Sequence, residues 1–359
     1  MPDIAFNPAK LFTDSERLPA IKSWLLENVW TSDRYRQLNP EQYLRGGEQA
    51  VCQLEELISA GALEVWNELQ ADSHHSPTVK SWLGLDGQLP PTEARAAVVF
   101  DGLSLREIPL LLQMAEASGL KVKSRQAIAT CLPTETMRFV EERVLGARIG
   151  PSQLRGRTEL ATKNAEAFYL DQPNSRYNFP EGRNLLIWST YPDRLFSDDG
   201  ARTEALFGTF HRDYIPTIWK CTVQALPPAI PIVVTSDHGY IFFGGSLDST
   251  RSSAAPDILG QARMKEFADH EVLPAWHPDL QVLPHNRTAM LRGRLRTRPQ
   301  GTSSRKLYQH GGFSLMEVLV PWIELEASAS GLRRLLASEP FKITGQQFRE
   351  TMEADFYDQ

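Results

Sequence analysis

Apolar positions along the chain fall into two rhythms. Between about residues 10 and 85 they recur at steps of three and four: Ile21, Trp24, Leu25, Val29 and Trp30, then Val51, Leu54, Leu57 and Ile58, then Leu63, Val65, Trp66 and Leu69. That spacing lines one face of a helix. The run Asp72-Ser73-His74-His75-Ser76-Pro77 breaks the pattern and reads as an exposed loop, and residues 84–92, with Pro90-Pro91, read as a linker. Residues 1–90 are therefore expected to form a helical region. Beyond it the rhythm changes to short continuous apolar runs that stop abruptly at polar residues. Ala96-Ala97-Val98-Val99-Phe100 ends at Asp101-Gly102. Leu185-Leu186-Ile187-Trp188 leads to Asp193 and to Asp198-Asp199-Gly200. Ile232-Val233-Val234 ends in Thr235-Ser236-Asp237-His238-Gly239. Such runs are buried strands. Ile108, Leu111, Leu112 and Ala115 mark a helix after the first strand, with Gly119 beyond its end and Leu120-Lys121-Val122 following. Strand, helix, strand is a βαβ opening and predicts parallel pairing. Residues 150–183 read as an irregular insertion, and residues 204–223 as a helix. The pattern is that of an α/β protein with a mostly parallel sheet.

Ligands in open α/β sheets bind at the carboxyl ends of the strands, where Asp101 and Asp237 stand. Asp237 and His238 are both ligand types that suit Zn²⁺ or Mn²⁺. Neighbouring side chains on a strand diverge, so both reach one ion only if the backbone turns, and Gly239 permits that. Thr134 and Thr136 precede a helical run at 139–146. They read as cap residues, or as part of a phosphate site, where a cation that lowers a hydroxyl's pKa makes it a nucleophile. Arg292, Arg294, Arg296 and Arg298 alternate along one segment, with Arg305 and Lys306 beyond. An extended chain would put the four guanidiniums on one side, which suits a polyanion or a charge-protected edge strand. Ser314 and Glu317 have the spacing of a capping box, so a short helix is expected there, followed by a last apolar element from Val318.

Composition narrows the class. With 42% hydrophobic and 23% charged residues among 359, the chain is long enough to bury a sizeable core. The net charge of -6 gives no basic field over the whole protein. Cys52, Cys131 and Cys221 are far apart, which excludes a disulfide framework and a cysteine zinc site and points to a reducing cytoplasm. No apolar run is long enough to span a membrane, and the first residues lack the features of a signal peptide. A soluble cytoplasmic protein is expected.

Three segments together resemble the PglZ domain, a branch of the alkaline phosphatase superfamily found in bacterial phage-defence operons. They are the Asp101-Gly102 strand end, Thr235-Ser236-Asp237-His238-Gly239, and His310-Gly311-Gly312-Phe313-Ser314-Leu315-Met316-Glu317 with Val320-Pro321 after it. The resemblance covers about residues 95–325. It implies a three-layer alkaline-phosphatase-like core with a mostly parallel sheet at 91–326, between the helical region at 1–90 and a helical tail at 327–359. It also implies two divalent metal ions, zinc before manganese or magnesium. Asp101, Asp237 and His238 would hold one of them beside the nucleophile, and Asp193, Asp198 and His310 the other. The superfamily often supplies a His four residues after that second-site carboxylate. Here the position is Ser197, so Asp198 or Asp199 is the expected replacement, with His211 a weaker one. Pro133-Thr134-Glu135-Thr136 is similar to the Pro-Thr-x-Thr segment of phosphodiesterase relatives, whose second Thr attacks phosphorus, which makes Thr136 the expected nucleophile. Arg292, Arg294 and Arg296 are expected to bind substrate. The function so implied is a metal-dependent phosphodiesterase or nuclease acting on a phosphate ester, with DNA or a nucleotide as candidates, among other proteins of a phage-defence operon. The rival is a catalytically weak or inactive scaffold of the same fold that binds a partner protein of that system.

Overall fold

Six strands form the central sheet. In chain order they are β1 (Ala96–Asp101), β2 (Leu120–Ala129), β3 (Ala165–Leu170), β4 (Asn184–Pro192), β5 (Ile232–Ser236) and, as the last strand among the described residues, β11 (Leu319–Ala327). The computed structural model describes residues 4–11, 16–87, 94–197, 203–247, 253–297 and 306–327. Across the sheet the order is β2-β11-β5-β1-β4-β3. β5, β1, β4 and β3 pair in parallel, and β11 is antiparallel to both of its neighbours. The expectation of a mostly parallel α/β sheet holds. The expected pairing of the first two strands does not. β2 runs in the same direction as β1 but sits at the far edge against β11, so the crossover skips two positions. The stretch read as an irregular insertion also holds β3, the opposite edge strand.

Alternation along β1 separates two layers. Ala96, Val98 and Phe100 face a core that contains α1 (Arg17–Trp24), α3 (Pro40–Gly61), α4 (Glu64–His75) and α6 (Ile108–Ala117). The short α2 (Ser32–Gln37) joins α1 to α3 in the chain. Ala97 and Val99 face the other core, with α5 (Val79–Trp82), the helix that begins as α7 (Thr136–Phe139) and α8 (Thr158–Ala161). Strands buried on both faces read as unbroken apolar runs, which is why β1, β4 and β5 are conspicuous in the sequence. Of the 1–90 region, α1, α3 and α4 share one continuous apolar cluster with the sheet. α4 runs through His74 and His75, so these close a helix where a loop was expected.

α9 (Asp193–Ser197) follows β4 directly. α10 (Ala205–Thr209) and α11 (Ile215–Cys221), joined by a wider helical turn, lead back to β5. After β5 come β6 (Ile241–Phe242), α12 (Ala255–Ile258) and the strands β7 (Met264–Glu266), β8 (Leu280–Leu283) and β9 (Thr288–Leu291), which pair in the order β7-β9-β8. β10 (Tyr308–Gln309) pairs with β6, and α13 (Leu315–Val318) precedes β11. α13 starts with the Ser314–Glu317 capping box, both of its hydrogen bonds present. Residues 328–359, the expected helical tail, lie outside the described residues.

Candidate metal centre and nucleophile

β5, β1 and β4 lie side by side and point the same way, so their carboxyl ends deliver three carboxylates to one place. Asp101 is the last residue of β1, Asp193 opens α9 immediately after β4, and Asp237 follows β5. Two glycines allow the approach. Gly102 has φ +81°, a conformation that costs other residues strain, and turns the chain against Asp193. Gly239 has no positive φ. It is required because a Cβ there would run into the Met316 carbonyl oxygen, where the Gly239 N–H donates to Glu317 O at 2.9 Å. The glycine beside His238 thus serves close packing against α13, and not the turn freedom expected of it.

Asp237 is fully buried and organises the centre. Its Oδ1 accepts from the backbone N–H groups of Gly102 at 3.1 Å and His238 at 3.0 Å. Its Oδ2 accepts from the Thr136 hydroxyl at 2.7 Å. Thr136 comes from the helix after β2, and the Thr134 hydroxyl before it donates to Gly312 O at 3.0 Å, tying that loop to the segment after His310. His238 Nδ1 lies 2.9 Å from Gly239 O. Only an N–H can bond to a carbonyl, so this contact places a proton on Nδ1, and Nε2 is the nitrogen that can bind a cation once it gives up its own proton. Nε2 faces Asp101 Oδ1 at 3.4 Å and Asp237 Oδ2 at 3.7 Å. The Trp188 indole N–H points at the other Asp101 oxygen, at 3.4 Å.

Two buried atoms at the centre have no hydrogen-bond partner: Asp101 Oδ1 and His238 Nε2. Orphaned buried polar atoms are costly, and these two face each other. A cation bound between them and Asp237 would satisfy both, so the residues fit a divalent metal. Asp101, Asp237 and His238 have ligand atoms within 4.8 Å of one another. Electrostatics points the same way. Burial and then the charge of Asp237 push the Asp101 carboxyl up to about 7. Burial opposes a charge on His238, but Asp237 and Asp101 outweigh it and raise His238 to about 10. Without a cation the cluster holds protons instead.

Asp193, His238 and His310 form a second group of that kind. His310 Nε2 lies 3.1 Å from Asp193 Oδ1, and its ring stacks on His238 at 4.3 Å. Burial works against the Asp193 charge, but His310 prevails and holds the carboxyl well below the usual range. His238 is common to both groups, and its one available nitrogen faces Asp101 and Asp237. With the first group occupied, Asp193 and His310 are what the described residues leave for a second ion. Ser197, one turn along α9, donates to both Asp193 oxygens at 3.1 and 3.2 Å. Asp198 lies outside the described residues. His211 is not at this centre: buried, it contacts Glu107 at 3.3 Å and the Tyr35 hydroxyl at 3.1 Å.

Arg292 and Arg294 are buried within the protein. Gly293 has φ +62° and reverses the chain, so the alternation does not align the side chains. Arg294 is 1% exposed, pairs with Glu48 at 2.6 Å and Glu55 at 2.9 Å from α3, and donates to Phe242 O. Arg292 is buried against Gln281, with Nη2 2.7 Å from Oε1. Arg296 Nη2 donates to Phe243 O at 2.7 Å, and its guanidinium lies over the Phe243 ring. Arg298 is outside the described residues. The sequence reading missed the Trp188 contact to Asp101 and the two backbone donors to Asp237. It had no signal for them, because they arise from strand order.

No protein-family model and no curated protein sequence matches the chain. Among solved structures it is similar to murine ectonucleotide pyrophosphatase/phosphodiesterase 5, with 12% identity, 72% of this chain and 98% of that chain covered, and a TM-score of 0.43. An inactive form of the same murine protein in complex with AMP matches at 12% identity, over 70% of this chain and 97% of that chain, with a TM-score of 0.40. Similarity at this level bears on neither substrate nor mechanism.

Proposed function

We propose that the chain is a metal-dependent phosphohydrolase of the PglZ and alkaline phosphatase type, a phosphodiesterase or nuclease, with Thr136 as its nucleophile. The observation that carries this reading is the 2.7 Å hydrogen bond from the Thr136 hydroxyl to Asp237 Oδ2, within a cluster whose facing atoms lack partners. A divalent cation held by Asp101, Asp237 and His238, with Asp193 and His310 offering a second position, would supply Lewis-acid stabilisation of negative charge. Asp237 positions the Thr136 hydroxyl and is the nearest acceptor for its proton. The Thr136 Oγ–P bond forms as the P–O bond to the leaving group breaks, and water then cleaves the phosphothreonine. Phosphoryl transfer asks mainly for this positioning and for charge stabilisation. The diester preference rests on the Pro133-Thr134-Glu135-Thr136 pattern, because Arg292 and Arg294, two of the arginines expected to support it, are buried. A role beside other proteins of a phage-defence operon rests on the sequence resemblance.

The test is the metal content of the purified protein beside hydrolysis of bis-p-nitrophenyl phosphate with added Zn²⁺ or Mn²⁺. Thr136→Ala is expected to keep the fold and lower turnover at least about a hundredfold. Turnover that survives this change rules out Thr136. The thin donor set of the second position favours the rival reading of a PglZ-fold scaffold that binds a partner. A folded protein with no bound metal and no turnover would establish that reading instead.

A further inference from the structure

A cavity of about 330 Å³ opens beside the centre. Asp193, His238 and His310 contribute to its lining, and Thr136 and Asp237 do not. The cavity thus borders the Asp193, His238 and His310 group, whereas Thr136 reaches the centre through Asp237. Displacement at phosphorus is roughly in line, so the leaving group departs opposite the nucleophile. With phosphorus held between Thr136 and the Asp193–His310 pair, the leaving group would depart toward the cavity.

The walls say what it accepts. Phe196 and Tyr308 stack at 4.4 Å with planes 5° apart, and Tyr240 packs on Phe196 at 4.6 Å. Both tyrosine hydroxyls are committed to the protein: Tyr240 donates to Glu107 at 2.8 Å and Tyr308 lies 3.3 Å from Glu204 O. These residues offer ring carbon, preorganised by the packing behind it. Among the described residues a guanidinium and an ammonium line the cavity, those of Arg263 and Lys306. Arg263 is buried and spent on Glu317 and on the Leu295 and Gly293 carbonyls. Lys306 donates one proton to the Ser197 carbonyl at 2.6 Å. Among the described residues no carboxylate pairs with it, and an ammonium has two further donors.

We propose that this cavity is the leaving-group pocket and that it selects a ring-sized leaving group carrying its own negative charge, with Lys306 as the counter-ion. The inference rests on Thr136 being the nucleophile. In the step concerned, Thr136 Oγ bonds to phosphorus and the P–O bond to the leaving group breaks. The departing oxygen takes both electrons and is protonated by water, and the anionic substituent stays at Lys306.

Two diesters test this: thymidine 5′-(4-nitrophenyl) phosphate and thymidine 5′-(3-carboxy-4-nitrophenyl) phosphate. They differ by one carboxylate on the leaving ring. With metal-loaded protein, and after correction for uncatalysed rates, the carboxylated ester is expected to have the higher kcat/KM by about two- to fivefold, most of it in KM. Lys306→Gln should bring the ratio to one, Lys306→Glu should invert it, and Lys306→Arg should keep it. A wild-type ratio near one, or a ratio unchanged in Lys306→Gln, overturns the pocket assignment and leaves Thr136 as nucleophile. Failure to hydrolyse either ester overturns both. Binding of 5-hydroxy-2-nitrobenzoate, the released ring, to the Thr136→Ala protein gives a reading without turnover. Lys306→Gln should weaken it, and equal binding by both proteins counts against the proposal.

Discussion

Replacing Arg294 separates two physical pictures of the arginine segment. If Arg294 were a surface phosphate ligand, Arg294→Leu would raise KM and leave stability almost untouched. In the structure it is 1% exposed between two carboxylates that are 0% and 2% exposed, Glu48 and Glu55. Glu48 keeps a second partner, Arg106 at 2.6 Å. Glu55 keeps the Leu315 N–H at 2.6 Å. Removing one member of a buried ionic cluster typically costs about 3–5 kcal/mol, because negative charge stays buried with less positive charge to balance it. At an unfolding entropy of about 2.1 cal/mol/K per residue, a 359-residue chain loses roughly 1.3 °C per kcal/mol. The expected fall in Tm is therefore about 4–7 °C. The pH dependence supplies an internal check. Burial already raises the Glu55 carboxyl despite Arg294, and loss of the guanidinium raises it further. A carboxyl whose folded pKa exceeds its unfolded value favours the fold when protonated, and that contribution is lost as pH rises through the folded pKa. The deficit against wild type should thus shrink as pH falls toward the ordinary carboxylate range. Calorimetry at pH 5.5 and 8 measures both effects. An unchanged Tm with a raised KM would refute the buried-clamp reasoning and restore a substrate role.

Other perturbations give equally definite outcomes. Gly239→Ala forces a Cβ into the Met316 carbonyl and should cost about 3 kcal/mol, read as a Tm loss of roughly 4 °C; a neutral substitution would mean that α13 can move away from the centre. Zn²⁺ affinity should rise between pH 6 and 8, because Asp101, raised to about 7, and His238, raised to about 10, must give up protons to become ligands. Each displaced proton adds about tenfold per pH unit, and titration calorimetry in two buffers counts the protons released; a flat profile would show that the cation binds elsewhere.

What the sequence makes legible follows from burial. β1, β4 and β5 are buried on both faces, so each is an apolar run whose end is marked by the change to Asp, Ser or His. The three carboxylates at those ends are found by that rule alone. Strand order is not legible, because an edge position for β2 depends on which strand β11 enters beside it. β3 was passed over because Ala165-Glu166-Ala167-Phe168-Tyr169-Leu170 lies in a polar stretch. The burial of Arg294 is illegible for a related reason. A guanidinium at a turn reads as solvated unless its partner is known, and Glu48 lies 246 positions away from Arg294.

That distance also accounts for the helical region at 1–90, whose purpose the sequence left open. Glu48 and Glu55 sit on α3 two turns apart, and together they hold three segments that shape the centre. Through Arg106, Glu48 holds the loop that leaves Asp101 and Gly102. Through Arg294, both carboxylates hold the turn after β9, whose Gly293 carbonyl accepts from Arg263. Through the Leu315 N–H, Glu55 holds the start of α13, where Glu317 binds Arg263 and the Gly312 N–H just beyond His310. Parallel strands can bring carboxylates together at one edge of a sheet, but the loops beyond that edge need a frame of their own. In this chain α3 provides it from behind, which is why acidic residues in the N-terminal helices are matched by arginines in the segments around the centre.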